Sequence, residues 1–258
     1  MHFLRLLLIR HAEPDYSIDS LTEKGWREAE LLSRRLVRYR IRDFYVSPLG
    51  RARDTAACTL RKLDRDAEVL PWLQEFRGSY PDPETGIRRH VAWDIKPRVW
   101  TVWPGIGDIR TWTDAPVFDQ GDVREVWKQT TDGVDNLLAR YGYRKDGPVW
   151  TCADNGDDTI ALFCHFGISM ANLGYLTDIS PMVLWHRTLC LPSSVTEIVT
   201  EERVHGEVAF RMTKLGDTTH LEAAGEPRST AGLYPECYTG LDFTDPSRNG
   251  TQDRIVVY

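Results

Sequence analysis

Arg10 and His11 stand side by side where the apolar run LLLI ends, and Glu13 follows two residues later. A second histidine, His165, ends another apolar run, IALFC, far downstream, and Arg51 falls in the first turn of the helix that SPLGRARDTA predicts. Guanidinium groups are planar forks of donors that suit phosphate oxygens. Two imidazoles supply a nucleophile and a further donor. The chemistry this set fits is phosphoryl transfer, and other common devices are missing. There is no Gly-x-x-x-x-Gly-Lys-Ser/Thr phosphate loop, no His-Glu-x-x-His pair and no Gly-x-Ser-x-Gly elbow.

Such residues work only if the chain brings them together. Residues 4–9 are continuously apolar, the pattern of a central strand covered on both faces, with Arg10 and His11 at its end. LTEKGWREAELLSRRLVRYR predicts an amphipathic helix carrying Trp26, Ala29, Leu32, Leu36 and Tyr39 on one face, capped by Thr22 or by Ser20 with Glu23. Residues 43–46 read as a second strand ended by Ser47-Pro48. A second helix with Ala52, Ala56, Leu60 and Leu63 on one face follows, and then a brief extended piece at Val69. Asp122 with Glu125 opens a further helix closed by Gly142, and residues 159–164 form a strand running into His165 and a helix from about Ile168. Residues 195–200 and 208–213 read as a late hairpin, and the chain after Leu221 as irregular. Strands alternating with helices predict an α/β layer sandwich with a mostly parallel sheet flanked by helices. Ligands of such sheets bind beyond the carboxyl ends of the strands, where His11 and His165 are delivered.

Between residues 76 and 120 the periodicity is lost. Pro and Gly break every pattern, while Trp93, Trp100, Trp103 and Trp112 make the segment too apolar for a disordered linker. It reads as an ordered, aromatic-rich insertion in a single domain spanning 1–258, serving as a pocket lining, a lid or flap packed for stability, or an oligomer contact.

Composition narrows the functional classes. A chain of 258 residues with 41% hydrophobic and 27% charged residues can bury a sizeable core. A formal charge of −6 argues against general affinity for nucleic acid or anionic membrane, and the arginines of SRRLVRYRIRD read as a solvated helix face. Cys58, Cys152, Cys164, Cys190 and Cys237 are odd in number and contain no Cys-x-x-Cys pair, which points away from zinc and from a secreted disulfide framework. FLRLLLI is too short for a signal peptide and no segment reaches membrane-spanning length, so the expectation is a cytoplasmic protein.

RHAEPDY, LTEKGWREA, SPLGRARDTA and CHFG, in this order, resemble the histidine phosphatase superfamily, which includes the cofactor-dependent phosphoglycerate mutases, and GDTTHL resembles a late segment of its phosphatase members. The resemblance implies a phosphoglycerate mutase-like fold and a phosphohistidine mechanism needing no metal or other cofactor. His11 would be the nucleophile, and Arg10, Arg51 and His165 would surround the phosphoryl group. Thr22 and Gly25 would help to shape the phosphate end of the pocket, or serve simply as a helix cap and a close packing contact. In one branch an aspartate follows the second histidine. Here Phe166 stands there, so the acid is expected from the loop after the third strand, where LPWLQEFRG offers Glu75 in the family's Leu-x-Glu pattern. Glu13 is its rival. Ala12 and Phe166 depart from the family's usual glycines; Ala12 requires a backbone without positive φ.

Three functions fit this resemblance. The first is a metal-independent phosphomonoester hydrolase acting on a small-molecule phosphate ester. The second is a phosphoglycerate-mutase-type phosphotransferase, and the third a non-catalytic phosphate-binding protein. Mutases resemble one another in a Glu-Arg-His-Tyr-Gly segment after the acid; EFRGSYPD differs from it and favours the hydrolase. A binding protein has no need to keep Arg10, His11, Arg51, Glu75 and His165 together.

Overall fold

In the computed structural model, which describes residues 3–153 and 156–232, the run RLLLIR is strand β1 (Arg5–Arg10), with Leu6, Leu7, Leu8 and Ile9 all buried. Successive side chains of a strand point to opposite faces, so a strand apolar at every position must be covered twice. Leu7 and Ile9 pack with Leu32, Leu36, Ala52 and Ala56 on one side. Leu4, Leu6 and Leu8 join Leu137, Leu138, Ile168 and the aromatic segment on the other.

β1 is central in an eight-stranded sheet with β2 (Asp43–Val46), β3 (Glu68–Val69), β4 (Tyr143–Asp146), β5 (Val149–Cys152), β6 (Thr159–Cys164), β7 (Val195–Val204) and β8 (Glu207–Asp217). Across the sheet the order is β3-β2-β6-β1-β7-β8-β5-β4. The first four strands in that order are mutually parallel, as the alternating pattern predicts, and the rest pair antiparallel. Helices α1 (Glu23–Leu36), α2 (Gly50–Leu63), α3 (Val123–Ala139), α4 (Phe166–Thr177) and α5 (Pro181–Arg187) flank it. Insertion of β6 between β1 and β2 sets the carboxyl ends of β1 and β6 beside one another. This is the arrangement the two histidines require.

Local details differ from expectation for identifiable reasons. α1 is capped by the Thr22 hydroxyl, which accepts the Gly25 amide at 3.0 Å, but it ends at Leu36, leaving Tyr39 beyond it. Its buried stripe runs through Gly25, Ala29, Leu32 and Leu36, so Trp26 falls beside the stripe and is 37% exposed. Asp122 holds the N-cap position of α3, yet its carboxylate accepts the Ser79 amide rather than a helix amide. The hairpin β7–β8 is longer than expected: the polar stretch read as a break stays in the ribbon, where Glu201 pairs with Arg203 on its own strand and with Arg211 across the strands. The β4–β5 hairpin, turning at Gly147 with φ +59°, has no counterpart in the sequence reading.

The tryptophans of residues 76–120 divide their tasks. Trp112 is fully buried against the rings of Phe76, Phe118, Trp127 and Trp185. Trp100 lies against His186 of α5, at 4.8 Å between ring centroids, and Trp93 meets Phe166 edge-on at 6.0 Å. Cys58, Cys152, Cys164 and Cys190 are free and buried; Cys237 lies outside the described residues. Among the described residues, no helix is long and apolar enough to cross a membrane.

Candidate active site

The parallel register sets Arg10 opposite Cys164, and one residue further the His11 amide donates to the Cys164 carbonyl at 3.0 Å. His11 and His165 therefore leave the sheet together, both buried, with ring centroids 5.1 Å apart and planes inclined at 57°. His11 Nδ1 lies 2.8 Å from the Ala12 carbonyl oxygen. A carbonyl only accepts, so the proton is assigned to Nδ1 and Nε2 keeps its lone pair. Burial, reinforced by the charges of Arg10 and Arg51, holds the His11 pKa well below the ordinary imidazole value. Burial and then the His11, Arg51 and Arg10 side chains do the same for His165. Both rings are neutral near pH 7.

Two buried guanidinium groups flank the pair. Arg10 donates through Nη1 to the Cys190 carbonyl at 2.6 Å and through Nη2 to the Ala231 carbonyl at 3.4 Å, and its buried Nε–H has no partner among the described residues. Arg51 donates through Nη1 to Asp19 Oδ1 at 2.6 Å, and its Nε–H likewise has no partner among the described residues. Buried donors left without acceptors are costly. An anion with several acceptor oxygens would satisfy both cations, and phosphate is such an anion.

Asp19 also caps α2 from a distant loop. The helix begins after Leu49, whose side chain cannot cap it, and Asp19 Oδ2 accepts the Gly50 amide at 2.7 Å. The loop approaches so closely that a Cβ at position 50 would lie 2.0 Å from the Asp19 carbonyl oxygen. Asp19 adopts φ +47°, a conformation that a short hydrogen-bonding side chain tolerates. One carboxylate thus fixes the helix terminus and orients Arg51.

Glu75 follows the single helical turn Pro71–Leu73. Its Oε1 accepts the Phe76 amide at 2.8 Å and the Ile168 amide at 3.0 Å, which holds it at the amino end of α4, next to His165. Burial pushes the carboxyl pKa up, outweighing these amides and the Arg51 and Arg10 charges. Gly167 makes room for it: an added Cβ would stand 2.6 Å from Glu75 Oε1 and 2.7 Å from the Trp93 ring. Phe166 lies 5.9 Å from the Arg10 guanidinium carbon, on the same side of the site.

Glu13 is engaged elsewhere. It accepts the Thr22 hydroxyl at 2.9 Å and lies 3.5 Å from Lys24 Nζ. Burial raises its pKa, but Ser229, Thr22 and Lys24 together bring it below the ordinary value. Thr22 caps α1, and a Cβ at Gly25 would meet the Glu13 carbonyl oxygen at 2.1 Å, so the LTEKG segment braces the loop behind His11. Ala12 is absent from the positive-φ residues.

Two groups at the site were not anticipated as functional. Ser47, read only as a strand terminator, places its hydroxyl 2.7 Å from His165 Nε2; its position directly after β2, the neighbour of β6, was the available signal. The loop before β7 clamps the end of β1. The Ser193 amide donates to the His11 carbonyl at 3.0 Å, and Ser193 Oγ lies 3.0 Å from His220 Nε2. GDTTHL thereby supports the site through His220, and Arg35 donates to Asp217 at 2.7 Å in the same segment.

Residues 6–105 match the family model described as histidine phosphatase superfamily (branch 1). No curated protein sequence matches the chain. Among solved structures, a mycobacterial glucosyl-3-phosphoglycerate phosphatase superposes with a TM-score of 0.55 at 21% identity, covering 83% of this chain and 99% of the other. A mutant phosphoserine phosphatase from Entamoeba histolytica in complex with phosphoserine gives 0.54 at 18% identity, over 84% and 99%. The structure of mycobacterial hydrolase 1 gives 0.55 at 21%, over 83% and 99%. At these identities the likeness is one of fold. The matched residues carry RHAEPDY, LTEKGWREA and SPLGRARDTA on the sheet described above, and it is over these residues, 6–105, that the chain is similar to the histidine phosphatase superfamily, branch 1.

Proposed function

We propose that the protein is a phosphomonoester hydrolase that acts on a small-molecule phosphate through a phosphohistidine. The observation that carries this reading is the His11 ring. Its Nδ1 proton is held by the Ala12 carbonyl, its pKa is depressed, and it stands beside two buried guanidinium groups whose Nε–H donors have no partner among the described residues. A neutral imidazole with a fixed tautomer is a competent nucleophile.

His11 Nε2 attacks phosphorus as the ester oxygen departs. Arg10, Arg51 and His165 stabilise the charge on the equatorial oxygens. Glu75, whose burial favours the protonated carboxyl, gives its proton to the departing oxygen. The resulting carboxylate then takes a proton from water, whose oxygen attacks phosphorus and releases neutral His11 and inorganic phosphate. Glu13 takes no part, since its hydrogen bonds and lowered pKa suit an anion that braces a loop. Trp93 and Phe166 give the leaving group an aromatic wall, and Arg77, exposed two residues after Glu75, offers a cation to a substrate with a second anionic group.

A panel of phosphate monoesters that includes phosphoserine and 3-phosphoglycerate, assayed without added metal and with or without a bisphosphoglycerate primer, tests the proposal. Release of inorganic phosphate is the expected result. Primer-dependent isomerisation would replace the hydrolase by a mutase, and binding without turnover or phosphoenzyme would leave a phosphate-binding protein.

A further inference from the structure

We infer that Ser47 is a positioning residue that fixes the tautomer of His165, so that His165 presents Nδ1–H as a hydrogen-bond donor to the phosphoryl group. The inference rests on the phosphatase reading for what the donor meets, but the proton assignment comes from the hydrogen bonds alone.

Ser47 is fully buried at the end of β2, and its amide donates to the Phe163 carbonyl at 2.9 Å, which locks it beside β6. Its Oγ has two neighbours, the Leu49 amide at 3.3 Å and His165 Nε2 at 2.7 Å. The amide can only donate, so Oγ accepts there. If His165 Nε2 also carried a proton, Oγ would accept twice and the hydroxyl proton, sealed from water, would have no acceptor among the described residues. It would also leave His165 Nδ1, which is buried and has no partner among the described residues, as a bare lone pair directed at an anion. If the hydroxyl donates to Nε2 instead, every proton in the cluster has an acceptor, and the ring proton moves to Nδ1. Unsatisfied buried donors are the costly case, so this second arrangement prevails.

The two histidines then hold opposite tautomers. His11 has its proton on Nδ1, held by the Ala12 carbonyl, and a lone pair on Nε2. His165 has a lone pair on Nε2, held by Ser47, and a proton on Nδ1. Within 5.1 Å the site offers one nucleophilic lone pair and one N–H donor, both on neutral rings. A second cationic imidazole beside Arg10 and Arg51 is not needed. Ser47 thus determines whether His165 attracts or repels the phosphoryl oxygens.

Nitrogen-15 NMR of the imidazoles in the full-length protein near pH 7.5, with His165 assigned by its loss in His165→Ala, reads the tautomer directly. His165 is expected to carry its proton on Nδ1 in the wild-type protein, to populate the Nε2–H form in Ser47→Ala, and to return to Nδ1–H in Ser47→Thr. Inhibition by vanadate should weaken at least about tenfold in Ser47→Ala and recover in Ser47→Thr, whereas Ser47→Ala in a His165→Ala background should change vanadate binding no further. An Nε2–H tautomer in the wild-type protein overturns the inference, and so does a Ser47→Ala protein that keeps both tautomer and vanadate affinity. The wild-type spectrum decides the matter even if Ser47→Ala fails to fold. Because neither spectrum nor vanadate titration needs turnover, a protein that binds the oxyanion through Nδ1–H but hydrolyses nothing would refute the hydrolase and leave the tautomer standing.

Discussion

His11 and His165 reach one another because Arg10 and Cys164 are partners in a parallel ladder, and the first residue beyond each is a histidine. The proximity is a property of the sheet, so substitutions of these rings report on chemistry with little effect on the core.

His11→Ala should abolish turnover of every phosphate monoester, by on the order of 10⁴-fold or more, as loss of a nucleophile does elsewhere. Circular dichroism and the unfolding midpoint should stay near those of the unsubstituted protein. Acid quenching during turnover should trap acid-labile phosphate in the wild-type protein and none in the variant. Phosphate trapped on His165 would mean that the roles of the two histidines are exchanged.

Arg10→Lys and Arg51→Lys keep the charge but lose the planar fork. Each should lower kcat/KM by about 2–4 kcal/mol in transition-state terms, and vanadate inhibition should weaken in parallel. Near-normal steady-state rates in both variants would remove bidentate recognition from the mechanism.

Glu75→Gln keeps an oxygen for the Phe76 and Ile168 amides but has no proton to give. It should slow phosphoenzyme formation from alkyl phosphates far more than from nitrophenyl phosphate, whose leaving group needs no acid. Water activation should slow for both, so that nitrophenyl phosphate gives a burst followed by a slow steady rate. Stopped-flow absorbance reads it. The same leaving-group dependence in Glu13→Gln, and not in Glu75→Gln, would transfer the acid to Glu13.

Gly167→Ala should improve the helical propensity of α4 by up to about 1 kcal/mol and still impair the enzyme. The new Cβ would stand 2.6 Å from Glu75 Oε1 and 2.7 Å from Trp93, so the carboxyl must move. A tenfold or greater fall in kcat on alkyl phosphates, with a smaller effect on nitrophenyl phosphate, is expected. Equal losses on both would point to the phosphate cradle instead of the acid.

Glu28 makes a pH prediction. It is buried behind the His11 loop, where Oε2 accepts the Glu13 amide at 2.9 Å, and burial raises its carboxyl from 4.5 to about 7. A raised carboxyl stabilises the fold in its protonated form. That contribution is complete below the unfolded value and is lost as the pH rises through about 7. Glu28→Gln keeps the acceptor without the charge, so its stability advantage over the wild-type protein should grow from near zero at pH 4.5 to about 3 kcal/mol at pH 8. Urea midpoints of both proteins across this range give the difference. A constant difference would show that Glu28 does not titrate there.

Periodicity alone shows which residues lie at strand and helix ends. Leu4 to Ile9 is apolar at every position, a pattern stable only as a strand covered on both faces, and a strand so buried can present Arg10 and His11 only at its end. The same argument holds for residues 159–164 and His165, and the period of α2 fixes Arg51 in its first turn. These are local consequences of periodicity, and each can be read one segment at a time. Pairing is not local. Whether β6 lies beside β1 depends on the order in which strands separated by more than a hundred residues assemble, and only that order brings the histidines together. Asp19 capping α2, Ser47 meeting His165, and Glu75 held by an amide of α4 depend on approaches between distant segments that no spacing encodes. The β4–β5 hairpin and the long β7–β8 ribbon escaped notice because antiparallel strands open to solvent tolerate charged residues, which removes the apolar signal. Protonation follows the same division. Residue type supplied two imidazoles and a carboxyl, and burial among particular neighbours lowers both imidazole pKa values and raises that of the carboxyl, because the cost of charge depends on surroundings that only the folded chain creates.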